Sequence, residues 1–511
     1  MKTSLYNYFT ETVERFEEKI AVVDGDQSWT FKQLQQATHV LAGALLQIVT
    51  PPNAVIAVLL KKSFKAVASD LAITGIGCVY MNLDIKSPAA RLEQILDVIA
   101  PSIVITDAQG LQMLSQISNS TIQIFNVDAI HLDEIDEVGN PGESRLASLI
   151  DTDPYCVINT SGSTGVPKGV VLNHRSFVDF MEWSAHELDV NGSEVIGSLS
   201  PIIFDIFSYE LCMLIFKGST ICLIDERLAP YPAKILEVLE KNRVNYIFWV
   251  PTIMVNIANM GLLEKFSLSE LKAVWFAGEV FPTAHFNKWF DRLPGVRFVN
   301  LYGPIEITLD CTFYPISQRI PDDQPIPMGY PCTNTGLLVL NEDGTETPDG
   351  QIGELYVRGT SLAMGYYNNP EQTARAFIQN PLNKNYPETI YKTGDLVMRL
   401  EGLYHFKGRA DTMIKHLGYR IELADIEHAI LCSVTAVRNV CVVYSQNNKE
   451  IVAYCELQED LTIQSFRAVM GQKLPAYMIP SRLEEVEQMP MNANGKIDRL
   501  YFKRMLAESS K

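Results

Sequence analysis

Along the first hundred residues the apolar positions follow two alternating rhythms. AVIAVLL (54–60) is a continuous apolar run, the pattern of a strand buried on both faces, whereas 64–74 places its apolar residues at helical spacing. VYMNLD (79–84), RLEQILDVIA (91–100) and SIVIT (102–106) then repeat the order strand, helix, strand. Such alternation predicts α/β layers built on parallel sheets. From about residue 330 the texture changes. TGLLVL, GELYVRG and GLYHFKG are short strands separated by Gly, Asp and Asn turns, which predicts a smaller β-rich subdomain over about 330–408. After Gly408 helical and strand patterns return, and GRADTMIK is the expected connector between a large N-terminal core (1–410) and a small C-terminal α/β domain (411–511).

Composition narrows the function classes. The chain has 511 residues, 47% of them hydrophobic, enough for several large cores. The formal net charge of −18 argues against a nucleic-acid backbone as principal partner, which would need clustered Lys and Arg. Nine cysteines occur without a CxxC pair, and no His cluster has metal-ligand spacing, so reduced thiols in a cytoplasmic protein are expected. MKTSLYNYFTETVERFEEK lacks the apolar core of a secretory signal, and no run is long enough to span a membrane.

The densest local chemistry is Thr160-Ser161-Gly162-Ser163-Thr164-Gly165-Val166-Pro167-Lys168-Gly169. Glycines let backbone N–H groups approach an anion, the hydroxyls donate hydrogen bonds, and Lys168 adds charge: a cradle for a polyphosphate. It is not a P-loop. Pro167 and Gly169 break the GxxxxGK[ST] template, and the flanks YCVIN and VVLNH both read as strands rather than strand then helix. The bland alternative is a hairpin loop without a ligand.

From this loop outward the chain resembles the adenylate-forming superfamily. It is most similar to the adenylation domains of nonribosomal peptide synthetases and to stand-alone amino acid:carrier-protein ligases. TSGSTGVPKG, FDIFSYE (204–210), NLYGPIE (300–306), GELYVRGTSLAMGYYNNPEQTARAF (353–377), YKTGDL (391–396), GRADTMIKHLGYRIE (408–422) and NANGKIDR (492–499) occur in the family's order. The resemblance implies a large core of two α/β sheets plus the β-rich subdomain, and a mobile small domain turning about a hinge at Asp411. It implies ATP and Mg2+ as reactant and cofactor. Lys168 and the 160–165 loop hold phosphates, and Glu306 binds the metal. Tyr302 and Gly303 lie at the adenine, Asp395 and Arg409 at the ribose, and Lys496 is the catalytic lysine that grips the carboxylate and the α-phosphate. One position departs from the family pattern. Ile305 stands where YGPTE has Thr, so a hydroxyl near the phosphates is lost unless Thr308 supplies it.

The same resemblance places Asp205 against a substrate ammonium, and Ile206, Tyr209, Thr252, Trp275, Ala277, Leu301, Leu309 and Asp310 around the side chain. A buried carboxylate is costly without a cation, so Asp205 argues for an amino acid rather than a plain acyl substrate; its bland role is a helix cap. Bulky Trp275, Tyr209 and Leu301 leave a short pocket ending at Asp310. This favours a small polar amino acid such as serine, with a basic one as runner-up. There is no HHxxxDG condensation motif, and only fifteen residues follow Lys496. A separate carrier protein bearing phosphopantetheine is therefore the expected acceptor. The rivals are an acyl-CoA synthetase of the same fold and a catalytically weak adenylate-binding regulator.

Overall fold

The computed structural model describes residues 2–48, 51–117, 122–132, 139–160, 167–410, 413–490 and 497–509. The predicted strand–helix alternation is present: strands Val55–Leu59, Val79–Asn82 and Ile103–Thr106 are joined by helices Phe64–Gly75 and Ala89–Ile99. The three strands pair in parallel and carry buried residues throughout, which is why they read as unbroken apolar runs. Strands Pro154–Thr160 and Lys168–Asn173, the expected flanks of the Ser/Gly loop, pair antiparallel with Thr160 opposite Lys168. All of these belong to one seven-stranded sheet.

A second, nine-stranded sheet has strands Val195–Ser198, Thr220–Leu223, Tyr246–Trp249, Ala273–Phe276 and Arg297–Tyr302 in parallel pairs, with antiparallel strands at its edges. Its strands alternate between two cores. Trp275 and Ala277 point into the core shared with the seven-stranded sheet, and Val274 and Phe276 into the core beneath the outer helices. Between the sheets lies helix Asp205–Lys217, buried at every position from Ile206 to Ile215. A helix apolar all round is one enclosed on all sides, and here its N-terminus is fixed at the ends of both sheets.

The β-rich part is a five-stranded sheet of Thr335–Leu340, Ile352–Gly359, Phe377–Gln379, Thr389–Leu400 and Leu403–Arg409. From Met413 onward a smaller unit begins with the hairpin Met413–His416/Tyr419–Glu422. It continues as helices packed on a three-stranded sheet of Val437–Ser445, Glu450–Leu457 and Arg482–Glu485. The buried ion pair Arg91–Asp425 (3.0 Å) ties helix Ala89–Ile99 of the core to helix Leu423–Ser433 of this unit. Among the described residues no helix is long and apolar enough to cross a membrane. All nine cysteines are free thiols.

Candidate functional site

In α/β sheets ligands bind beyond the carboxyl ends of parallel strands, and the residues singled out in the sequence gather there. Thr160, Asn82 and Ala277 end or follow strands of the two sheets, and all three line one cavity of about 160 Å³. Asp205, the first residue of its helix, lines it too, with Ile206, Leu309 and Asp310.

A tight loop carries Leu309 and Asp310 inward. Strands Arg297–Tyr302 and Thr312–Ile316 are antiparallel partners, and the loop joining them folds back so closely that a Cβ on Gly303 would lie 2.1 Å from the Leu309 carbonyl oxygen. Thr308 (φ +52°) and Leu309 (φ +69°) both hold left-handed backbone, a strained choice for a β-branched and a bulky residue in succession. Asp310, the next residue, lines the same cavity as Asp205.

Two carboxylates on one small cavity repel each other. Burial, reinforced by Asp205, pushes the Asp310 carboxyl well above its usual range, while Lys415 opposes this. Burial likewise raises Asp205 to about 6, against the Ile206 N–H and Lys415, which favour its anion. The Asp205 carboxylate accepts a 2.9 Å hydrogen bond from the Ile206 amide, so part of its capacity does serve the helix start.

The nucleotide candidates converge as well. The Tyr302 hydroxyl donates to one oxygen of Asp395, and Arg409 donates to the other from the directly opposed strand position. Tyr302, Asp395 and Arg409 line a second, adjoining cavity of about 550 Å³. Glu306 is fully buried; one carboxylate oxygen accepts from the Tyr366 hydroxyl (2.8 Å) and the other from Arg420 (2.6 Å). Burial disfavours its charge, but Arg420 and the Tyr366 hydroxyl together hold it below the usual carboxylate range. Lys168 lies 5.4 Å from the Tyr366 ring centroid. The hydroxyl oxygens of Thr160 and Thr308 are buried and have no hydrogen-bond partner among the described residues, and Thr160 lines the smaller cavity.

Other expected residues lie elsewhere. Tyr209 and Trp275 are fully buried and stack on one another (centroids 5.8 Å apart), apart from the residues that line the smaller cavity. Leu301 lines the larger cavity. Thr252 turns away, donating from its N–H and hydroxyl to Glu279 and accepting from Lys449 (3.2 Å). Ser161, Gly162, Ser163, Thr164, Gly165, Asp411 and Lys496 lie outside the described residues.

The hairpin contributes Lys415 and Arg420, to which the sequence reading gave no role, and the Gly418 loop, which the resemblance implies enters the site when the hinge turns. Lys415 and Arg420 are cross-strand partners on its core-facing side, and the Lys415 ammonium sits 5.5 Å from the Tyr302 ring centroid. At the hairpin tip Gly418 (φ +84°) donates its N–H to Glu279 (2.8 Å). The quoted segment GRADTMIKHLGYRIE contains all three, but a charge on a strand predicts no partner until the fold supplies one.

Known proteins resemble this chain in sequence and fold. The AMP-binding enzyme family matches residues 9–367, and the AMP-binding enzyme C-terminal domain family matches 425–496. The chain is 30% identical to zwittermicin A synthase ZmaJ of Bacillus cereus over 98% of this chain and 94% of that protein. It is 31% identical to tyrocidine synthase 3 of Brevibacillus parabrevis over 97% of this chain but only 8% of that much longer protein. Among solved structures, the amide bond synthetase McbA of Marinactinospora thermotolerans superposes with a TM-score of 0.84 at 20% identity, covering 98% of this chain and 99% of that one. An artificially fused adenylation–PCP di-domain, NpsA-ThdA of Klebsiella oxytoca, superposes with 0.82 at 20% identity, covering 100% and 97%. The structural likenesses establish a common fold. With the family match spanning most of the sequence and the acid and hydroxyl groups of the family's motifs gathered at the strand ends, the chain belongs to the AMP-binding enzyme family.

Proposed function

We propose that this chain activates an α-amino acid with ATP and passes the acyl group to the phosphopantetheine thiol of a separate carrier protein. In the first step the amino acid carboxylate attacks the α-phosphorus of ATP, forming aminoacyl-AMP as pyrophosphate leaves. In the second the thiol sulfur attacks the acyl carbon, giving a thioester, AMP and a proton. The cytoplasm is the expected location.

The observation that carries the reading is Asp205, a carboxylate at the cavity wall whose environment raises it to about 6. A substrate ammonium at this point would restore its anion, whereas a fatty or aryl acid would leave it unpaired at a cost. Asp395 and Arg409 suit the ribose hydroxyls, and the Thr160 and Thr308 hydroxyls with Lys168 suit phosphate oxygens. Glu306 offers a single carboxylate, the donor set with which magnesium is commonly held when phosphates complete its shell. Bound there, the metal would supply positive charge to the phosphates. Lys496 would neutralise charge growing on the α-phosphate in the transition state.

Asp310 supports the small polar side chain. Burial and Asp205 push it well above its usual range, so its surroundings disfavour the anion that a cationic side chain would pair with. Measuring ATP–pyrophosphate exchange across all amino acids tests the first step. Loading of a phosphopantetheinylated carrier against free coenzyme A tests the second. Exchange with simple carboxylic acids but no amino acid would overturn the assignment.

A further inference from the structure

Resting on the adenylation reading, we infer that Asn82 is a positioning residue for Asp205: it grips the backbone just ahead of the helix that carries the ammonium partner, and so sets how well the site binds an amino acid. Asn82 ends strand Val79–Asn82 of the seven-stranded sheet, and Asp205 begins the helix enclosed between the two sheets. One amide joins them. Its Nδ2 donates to the Ile202 carbonyl (3.3 Å), just upstream of Asp205, and to the Asp70 carboxylate (2.9 Å). Both partners are acceptors, so the nitrogen end of the amide is fixed toward them. On the same face of the strand, the Tyr80 hydroxyl donates to the Ser208 hydroxyl (3.0 Å) near the start of the helix. A single strand thus braces the chain on either side of Asp205. Lys62, just beyond the neighbouring strand Val55–Leu59, holds the approach too, donating to the Ser198 (2.8 Å) and Ser200 (3.1 Å) carbonyls.

The Asp70–Asn82 pair is a poor choice for stability alone. Asp70 is 0% exposed and Asn82 5% exposed. One oxygen of each is buried without a donor among the described residues, and burial pushes the Asp70 carboxyl up to about 8. Two apolar side chains of similar shape would avoid both costs. They could not hold the Ile202 carbonyl. That carbonyl lies in the turn closed by the Phe204 N–H donating to the Pro201 carbonyl (3.1 Å), and the turn leads directly into Asp205. Asn82 and Asp205 also line the same cavity, so slack in this turn is felt where the substrate ammonium would sit.

ATP–pyrophosphate exchange by the full chain tests this, with two probes: the amino acid that the wild type exchanges fastest, and the same acid lacking its amino group. Asn82→Leu should raise KM for the amino acid by up to roughly 10²-fold, the cost of a misplacement of about 1 Å, and leave KM for ATP near its wild-type value. The preference for the amino acid over its deaminated analogue should fall by the same factor. Asp70→Asn keeps an acceptor for Asn82 and should stay near wild type, whereas Asp70→Leu should lie between. In an Asp205→Asn background Asn82→Leu should add little, because both act on one contact. The Asp70→Leu/Asn82→Leu double variant should melt at the wild-type temperature or above. An unchanged KM for the amino acid in Asn82→Leu, or its full effect on top of Asp205→Asn, would overturn the inference. So would a double variant that melts early with both KM values raised alike. Should Asn82→Leu fail to fold, Asp70→Leu against Asp70→Asn carries the same comparison. Absence of amino-acid-dependent exchange in the wild type would count against the adenylation reading itself, whereas wild-type exchange with any of these contrary results would count against Asn82 alone.

Discussion

Lys415 and Arg420 stand directly opposite one another across a two-stranded hairpin. Like charges in that position ordinarily destabilise a strand pair. Here each faces acid supplied by another part of the chain: Arg420 pairs with Glu306, and Lys415 lies within the field of Asp395 and Asp310. Burial lowers the Lys415 pKa, and those carboxylates hold it up. The hairpin is therefore stable as a docked element of the site rather than as an isolated ribbon. The hairpin tip gives the first prediction. A Cβ on Gly418 would lie 3.0 Å from Val250 and would need a left-handed backbone, at a cost of about 1–2 kcal/mol. Gly418→Ala should slow thioester formation more than pyrophosphate exchange, and adding Val250→Ala should restore part of the loss. Equal slowing of both steps would show that the tip serves adenylation as well.

The proposed hinge and lysine divide the two steps differently. If Lys496 acts on the adenylation transition state, Lys496→Ala should cut exchange by about 10²–10³-fold while ATP still binds. Asp411→Pro fixes φ at the connector and should restrict rotation, so adenylation should survive and carrier loading should fail. Single-turnover measurement of each step distinguishes these outcomes, and near-normal exchange by Lys496→Ala would remove that residue from the chemistry.

Asp205 sets a pH dependence. Its folded-state pKa of about 6 lies above the ordinary value of 3.8, so the native state binds the proton more tightly. The sign is then fixed: its contribution to stability is greatest below pH 3.8 and declines as pH rises from 3.8 to about 6. Ammonium binding needs the opposite form, the anion. The value of kcat/KM for the amino acid should therefore fall with unit slope below about pH 6, following the free enzyme. Asp205→Asn should flatten that limb and cost about 2–5 kcal/mol of transition-state binding. An unchanged limb in Asp205→Asn would assign the titration to another group.

The parallel strands were legible because they rest on local spacing, and the acids were named because they sit in segments that resemble the family's motifs. A run such as AVIAVLL can be satisfied only by burial on both faces, and Tyr302, Glu306 and Asp395 sit inside contiguous motifs. Arg420 and Lys415 were visible in the text of a motif, yet their acidic partners lie 20 to 114 positions away in sequence and are set by how the hairpin docks. Thr252 shows the reverse. Its place in the chain suggested a cavity wall, but Glu279, twenty-seven residues on, offers its carboxylate to both the Thr252 N–H and hydroxyl. No periodicity reports a side-chain carboxylate that captures a helix start.

Ile305 is buried in the shared core with 7% exposure, beside the unpartnered Thr308 hydroxyl. If Thr308 donates in place of the Thr that the family pattern has at 305, the two positions should be coupled. Thr308→Val should slow exchange strongly in the Ile305 background and less after Ile305→Thr, a coupling a double-mutant cycle reads directly. Ile305→Thr alone should leave exchange unchanged or faster and lower stability by about 1 kcal/mol through lost packing. Additive effects would mean the two positions act independently.

Asp310 decides the side chain. It shares a cavity of about 160 Å³ with Asp205 and is raised well above its usual range, first by burial and then by its acidic neighbour. A long cationic side chain would need more depth and would favour the charged form of Asp310, which burial and Asp205 disfavour. A short hydroxyl needs neither, because a carboxyl group can bond a hydroxyl in either protonation state. A site built to bond a hydroxyl rejects analogues without one, since its own polar group is left unpaired. Serine should therefore exceed alanine in exchange by at least about tenfold, the discrimination expected for roughly 1.4 kcal/mol. Asp310→Ala should erase most of that ratio by losing serine rather than by gaining alanine. Asp310→Asn, which also donates and accepts, should retain part of it. A preference for lysine or arginine in the wild type, abolished by Asp310→Asn, would show that Asp310 works as an anion and that the cavity opens deeper when the hairpin is undocked.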